Sequence, residues 1–462
     1  MTGPTSVDVI VVGGGPAGEN VAGRCADGGL TVVLVERELV GGECSYWGCI
    51  PSKTLLRPGD VVAAARRVPG AAEAVTGPVD AGAALAQRDY MTSGWDDSGS
   101  LSWLASEGIQ LARGTARLTG DRAVAVEGPD GEVVQLTAGK AVVLATGTSA
   151  AIPPIPGLRE ARPWDNRGAT GAKEIPRRLL VLGGGAIGTE LAQGFRRLGA
   201  AEVTIVEAAE RLLPMEEPFA GDQVGAALEA EGITVVTGVK LVKAERSGDG
   251  PVTGTLEDGR EITADEILVA VGRRPATADL GLEAVGLPAG KFVEVDDQLR
   301  ATGVPGGWLY AVGDCNGRAL LTHMGKYQAR LAGDAILGKQ VAATGPVPRV
   351  TFTDPQVCAV GLTEAQARAR KLDVRVVTTD TGGVPGAYTQ GNGIAGTSQL
   401  VVDESRRVIV GATFTGPGIA ELLHSATIAI AGEVTMDRLW HAVPSFPTLS
   451  EVWLKLMEAY GL

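Results

Sequence analysis

Apolar residues along this chain fall into short runs separated by glycine turns, with amphipathic stretches between them. Val7 to Val12 is a β-branched run, followed by Gly13-Gly14-Gly15-Pro16-Ala17-Gly18, a helix-like stretch ending near Gly28, and a second strand from Thr31 to Val35 that ends on Glu36. Residues 61–120 read as alanine-rich helix. From Ala123 to Thr137, alternation around Pro129-Asp130-Gly131 predicts a hairpin, and a strand from Ala141 to Leu144 follows. After the proline-rich link Ile152-Pro153-Pro154-Ile155-Pro156-Gly157 the opening pattern returns. Arg178 to Leu182 is a strand, Gly183 to Gly188 a glycine turn, Val203 to Val206 a strand ending on Glu207, and Ile267 to Val271 closes the segment. Past Pro346 and Pro348 the pattern predicts strands at Val350–Phe352, Gln399–Asp403 and Val408–Phe414, a helix capped by Thr363, and another near Ile419–Ile430.

One G-x-G-x-x-G is a weak signal, but strand, glycine turn, helix, strand and terminal acid in that order make a dinucleotide fingerprint. Gly13 permits the tight turn, Gly15 lets the backbone approach a pyrophosphate, and Gly18 lets helix and strand pack closely. Helix amides face the phosphate, and Glu36 is placed to accept from a ribose. Gly183, Gly185, Gly188 and Glu207 repeat the set about 170 residues on. Two dinucleotide sites follow. An acid ending the second strand favours the free 2′-hydroxyl of NADH over the phosphate of NADPH, although Arg211 lies nearby.

The 462 residues allow two to four domains, and 45% hydrophobic content is ample for several cores. A net charge of -13 argues against nucleic acid or an anionic membrane as partner. No segment approaches the roughly 20 apolar residues of a membrane span. The N-terminus lacks the basic start of a signal peptide, so a cytoplasmic enzyme is expected. Five cysteines, Cys25, Cys44, Cys49, Cys315 and Cys358, are too few and scattered for a disulfide scaffold, which makes any disulfide here a catalytic one.

The chemistry concentrates in Gly41-Gly42-Glu43-Cys44-Ser45-Tyr46-Trp47-Gly48-Cys49-Ile50-Pro51-Ser52-Lys53, where two cysteines open what reads as a helix with Pro51 in its first turn. Helix amides there lower the pKa of a nearby thiol and make it a nucleophile. The bland alternatives are two buried cysteines or half a metal site. This stretch resembles the redox segment of the pyridine nucleotide-disulfide oxidoreductases, the family of dihydrolipoamide dehydrogenase, glutathione reductase and mercuric reductase, and the resemblance covers nearly the whole chain. It implies an α/β fold of two Rossmann-like dinucleotide-binding domains plus a C-terminal α+β dimerisation domain. The implied division is 1–150 for the first part of an FAD-binding domain, 151–276 for an NAD(P)H-binding domain, 277–345 for the rest of the FAD domain, and 346–462 for the interface of a homodimer.

The same resemblance makes Cys49 the thiol that faces the flavin, Cys44 the one that exchanges with substrate, and Lys53 the lysine beside the flavin's reactive nitrogen. Gly114, Ala145-Thr146-Gly147 and Gly313-Asp314 match FAD-binding positions, with Asp314 on the ribitol. Glu190 matches a glutamate near the nicotinamide, and Gly272-Arg273-Arg274-Pro275 the domain exit. The implied activity passes electrons from NADH through FAD to a Cys44–Cys49 disulfide and on to a small disulfide or related acceptor. Other readings are a quinone or other acceptor reductase that bypasses the cysteines, and a redox-sensing NADH-binding protein. Two departures bear on the acceptor. Ser45, Tyr46 and Trp47 are bulkier and more aromatic than the common pattern, and Tyr46, Trp47 and Phe446 suggest an aromatic pocket. The family's C-terminal motif, His-Pro with a glutamate four residues on, here reads Phe446-Pro447-Thr448-Leu449-Ser450-Glu451. Glu451 is present and Phe446 stands where the histidine base belongs; aligning instead on His441-Ala442-Val443-Pro444 places Val443 there, so in either register the base position is apolar, and His441 is the nearest histidine. Members of the mercuric branch carry a cysteine pair near the C-terminus, and Glu458 to Leu462 contains none.

Overall fold

A computed structural model describes residues 5–462, which form two compact units, each discontinuous in sequence. The first gathers residues up to Pro51, Arg88–Ala151 and Gly272–Thr344. Its main sheet runs Gln110–Arg113, Val32–Glu36, Thr5–Val12, Val133–Leu144, Ala123–Glu127, Thr115–Gly120, with Leu309–Ala311 paired to Val133–Leu144. The central pairs are parallel, Val9 opposite Val32 and Val12 opposite Leu144. Both sheet faces are covered: Ile10, Val33 and Val142 lie in one apolar cluster, and Val9, Val11, Leu34 and Val143 in another. Continuous apolar runs are what two covered faces require.

Residues 61–120 are only partly the helix expected from composition. Helices do run Ala81–Met91 and Ser98–Ser106, but Gln110–Arg113 and Thr115–Gly120 are strands. The first adds to the sheet edge in parallel with Val33–Glu36. Partner edges decided this, because Gln-Leu-Ala-Arg carries little strand propensity of its own.

The second unit comprises Ser52–Gln87, Ile152–Val271 and Gly345–Leu462. A four-stranded parallel sheet runs Ile233–Val236, Glu202–Val206, Arg178–Leu182, Glu266–Val269. Its helix Ala186–Arg197 packs Leu191, Ala192 and Phe195 into the core. A five-stranded antiparallel sheet runs Pro348–Thr351, Gln356–Gly361, Val408–Gly416, Thr397–Asp403, Val374–Asp380 and carries Leu422–Ala431 and Glu451–Tyr460 against its core. Thr363 caps Glu364–Ala369 through a full capping box with Gln366.

Candidate active site

The two glycine turns are built alike. Gly13 N–H donates to Val35 C=O at 2.8 Å, and Gly183 N–H to Val206 C=O at 2.9 Å. At Gly18 a Cβ would stand 1.8 Å from Gly13 O, and at Gly188 1.9 Å from Gly183 O, so only glycine lets either helix approach its strand. Gly15 and Gly185 cap their helices with no side chain on the first amides. Glu36 accepts from Gly14 N and Glu38 N at 2.7 Å each, and Glu207 from Gly184 N at 2.6 Å and Ala209 N at 2.7 Å. Each acid thus braces its own turn.

The remaining FAD candidates lie in the first unit. Gly114 N–H donates to Glu36 C=O, and Gly147 C=O accepts from Ala276 N–H. The Thr146 hydroxyl is buried without a hydrogen-bond partner, which marks a place for a polar ligand atom. Asp314 accepts from Thr148 Oγ1 at 2.9 Å, and burial holds its carboxyl above the ordinary value. Arg273 donates to the same hydroxyl at 2.6 Å and to Thr148 C=O at 2.9 Å, and lies 3.7 Å from Glu43. Thr148 is a link that the sequence does not signal, although its partner Arg273 lies in the Gly272-Arg273-Arg274-Pro275 motif. An uncapped helix start, an orphaned hydroxyl and a half-buried carboxylate fit the pyrophosphate and polyol of FAD.

The cysteines sit on two helices rather than one. Cys44 lies in Gly42–Tyr46 and Cys49 opens Cys49–Arg66, with Trp47-Gly48 between. Both are free thiols. The Cys44 thiol is pushed well above its ordinary value, first by its hydrogen bond with Cys49, then by burial. Lowering by helix amides therefore does not reach Cys44. Cys49 is exposed, and its Sγ lies 3.3 Å from Thr322 Oγ1, at the start of Thr322–Ile336. His323 is the next residue of that helix. The other three cysteines are buried, and burial pushes each thiol up to about 12. Only the close pair is suited to exchange. Tyr46 does not offer its ring to a pocket: it is buried, and its hydroxyl contacts Val40 C=O at 3.2 Å and Asp96 C=O at 3.3 Å. Trp47 is half-buried.

In the second unit Lys53, one turn along the helix that Cys49 opens, donates to Glu190 Oε2 at 2.6 Å. Glu190 is buried, and its other oxygen accepts from Phe352 N at 2.8 Å. Lys53 Nζ also lies 4.9 Å from the centroid of the Phe352 ring. Gly272 belongs to the first unit, where its C=O accepts from Ala151 N–H. Glu451 starts the last helix and accepts from Gly386 N at 3.3 Å. His441 is exposed, and so are Val443 at 84% and Phe446 at 74%.

The profile described as pyridine nucleotide-disulphide oxidoreductase matches residues 7–330, and that of the same family's dimerisation domain matches 347–457. A dihydrolipoyl dehydrogenase of Thermus scotoductus is 35% identical over 460 residues, covering 98% of this chain and 97% of that one. A mercuric reductase of Staphylococcus aureus is 32% identical over 451 residues, 96% of this chain and 80% of that one. Among solved structures, the HOCl-induced flavoprotein disulfide reductase RclA from Escherichia coli, as a Cu(II) complex, has a TM-score of 0.86 at 26% identity, covering 98% of this chain and 99% of that one. LpdA from Mycobacterium tuberculosis also has a TM-score of 0.86, at 25% identity, with 99% and 100% covered. No helix among the described residues is long and apolar enough to cross a membrane.

Proposed function

Because this chain belongs to the pyridine nucleotide-disulphide oxidoreductases, FAD-dependent enzymes that use NAD(P)H and act on sulfur groups, we propose that it takes electrons from NADH and delivers them through a Cys44–Cys49 disulfide to a small acceptor other than an ordinary alkyl disulfide. The observation that carries this is the thiol pair itself, in which the partly buried Cys44 shares a hydrogen bond with the exposed Cys49. FAD, when bound, supplies the two-electron chemistry that links a nicotinamide to a disulfide. The chain's part is to hold, orient and manage protons. Gly13, Gly15, Gly18 and Glu36, with Gly114, Thr146, Gly147 and Asp314, hold FAD. Gly183, Gly185, Gly188 and Glu207 hold the nicotinamide nucleotide, and Glu207 selects NADH.

Cys44 keeps its proton and donates toward the Cys49 sulfur, while the Thr322 hydroxyl is a second polar partner of Cys49. Cys49 is then the sulfur that tolerates negative charge, and Cys44 the thiol that meets substrate. Glu190 fixes the Lys53 ammonium and the Phe352 backbone together. The exposed apolar residues of the C-terminal domain, Tyr388, Ile428, Trp440, Val443 and Phe446 among them, support a homodimer.

Thiol titration after anaerobic NADH reduction tests the relay. Two new thiols per FAD are expected in the wild type, none in Cys44→Ser or Cys49→Ser, and a lower kcat/KM with NADPH. Turnover of quinones or Cu(II) at undiminished rate in both cysteine variants would replace this reading with a reductase that bypasses the pair.

A further inference from the structure

The second unit contains an open cleft of about 800 Å³ lined by Arg66, Arg67, Arg196, Arg197, Glu231 and Asp354. Four guanidinium groups face two carboxylates, in a chain whose net charge is -13. Both carboxylates are already engaged. Asp354 Oδ2 is 2.9 Å from Arg67 Nη1 and 2.9 Å from Arg197 Nη2, and Glu231 Oε1 is 2.6 Å from Arg197 Nη2.

Among the described residues Arg66 and Arg196 have no carboxylate partner. Arg66 donates only to Gly77 C=O, at 3.2 Å. Arg196 donates to the carbonyls of Glu231 and Ala200 at 2.9 Å and of Ala201 at 3.4 Å. Carbonyl oxygens satisfy N–H groups but leave the charge uncompensated, and a guanidinium fork suits carboxylate or phosphate oxygens. The volume falls within the roughly 300–1,000 Å³ of small-molecule sites. At the rim, a Cβ on Gly393 would meet nothing within 4 Å, so the backbone there is open to close approach.

We infer that this cleft binds a small organic polyanion bearing phosphate groups or clustered carboxylates, held by Arg66 and Arg196. It is separate from the nicotinamide nucleotide site. Helix Ala186–Arg197 has 12 residues and a length of about 18 Å; the glycine turn abuts its first residues, whereas the cleft uses its last two.

Isothermal titration of the FAD-loaded protein, with fructose 1,6-bisphosphate as the phosphate probe and citrate as the carboxylate probe, tests the assignment and tells the two sources apart. Saturable binding of one probe per chain is expected, weakening with added salt and falling about tenfold or more in Arg66→Ala. Arg66→Lys should fall between the two, since it keeps the charge and loses the fork. Arg66 is exposed with a single carbonyl contact, so both variants should keep wild-type FAD content and melting temperature. Absence of saturable binding by either probe at millimolar concentration would overturn the inference, and so would equal affinity in wild type and Arg66→Ala.

Discussion

Replacing Glu190 by glutamine keeps the shape of a buried side chain and removes its charge. The carboxylate is 4% exposed and receives Lys53 Nζ at 2.6 Å and Phe352 N–H at 2.8 Å, whereas Lys53 is 36% exposed. Orphaning one member of a fully buried pair costs about 3–5 kcal/mol. Water reaches Lys53, and its ammonium keeps the Phe352 ring at 4.9 Å, so the expected loss for Glu190→Gln shrinks to about 1–2 kcal/mol. Glutamine still offers an oxygen to Phe352 N–H. Alanine does not, and Glu190→Ala should lose a further ~1–3 kcal/mol for that amide. Urea unfolding of the FAD-loaded protein, followed by circular dichroism, measures both losses. A double-mutant cycle with Lys53→Met should return a coupling of about 1 kcal/mol or more. On the role that the family resemblance implies for Lys53, NADH-driven turnover should fall at least about tenfold in each Glu190 variant, through loss of the group that holds its ammonium. The reasoning fails if Glu190→Ala is no worse than Glu190→Gln, or if the coupling to Lys53 is nil.

Asp60 gives a pH signature. Burial pushes its carboxyl up to about 6 against the pull of Arg197, whose Nη1 lies 2.9 Å away. A raised acid binds its proton more readily folded than unfolded, so its contribution to stability is lost as pH rises from about 4 through 6, by about 3 kcal/mol in all. Asp60→Asn should therefore exceed wild type in stability at pH 8 by up to ~3 kcal/mol and match it near pH 4; a gap that widens on acidification would contradict this. For the acceptor, wild type should reduce lipoamide poorly and Phe446→His should improve it about 10²-fold or more. Efficient wild-type turnover that survives His441→Ala would show that no histidine base is needed.

What the sequence disclosed depended on how local the cause was. Val7–Val12 and Arg178–Leu182 were readable because each apolar run is followed by glycines that the turn requires, Gly13 at φ 104° and Gly183 at φ 108°. The strand Gln110–Arg113 was hidden, because a sheet edge distant in sequence and not its own residues makes it a strand, and Thr115–Gly120, which pairs with the adjacent Ala123–Glu127, was missed by extending the helix reading past it. The site divides the same way. Cys44, Cys49 and Lys53 form one stretch, but Thr322 meets Cys49 across 273 positions, Glu190 meets Lys53 across 137, and Thr148 meets Asp314 across 166. No periodicity or motif in one segment carries such a pairing, and threonine or phenylalanine has no sequence signature until its neighbour is known. The arginine cleft was missed for the same reason: its side chains come from separate segments, and only folding sets them facing one another.

The same two scales explain why the acceptor is the hard part. Thiol–disulfide exchange requires the attacking sulfur as thiolate and a proton for the leaving sulfur. Cys44 holds its proton firmly, since its hydrogen bond with Cys49 and its burial both favour the neutral thiol. A histidine base would ordinarily remove that proton, yet the matching position is Phe446, apolar and 74% exposed. Glu451 starts the last helix and accepts from Gly386 N, so the family's acid is present without the histidine it would orient. The burden passes to the acceptor. On the proposed reading, a substrate whose departing group needs no proton should be served by this pair. An unactivated alkyl disulfide should be reduced poorly, since it leaves a basic thiolate behind and finds no histidine donor at Phe446.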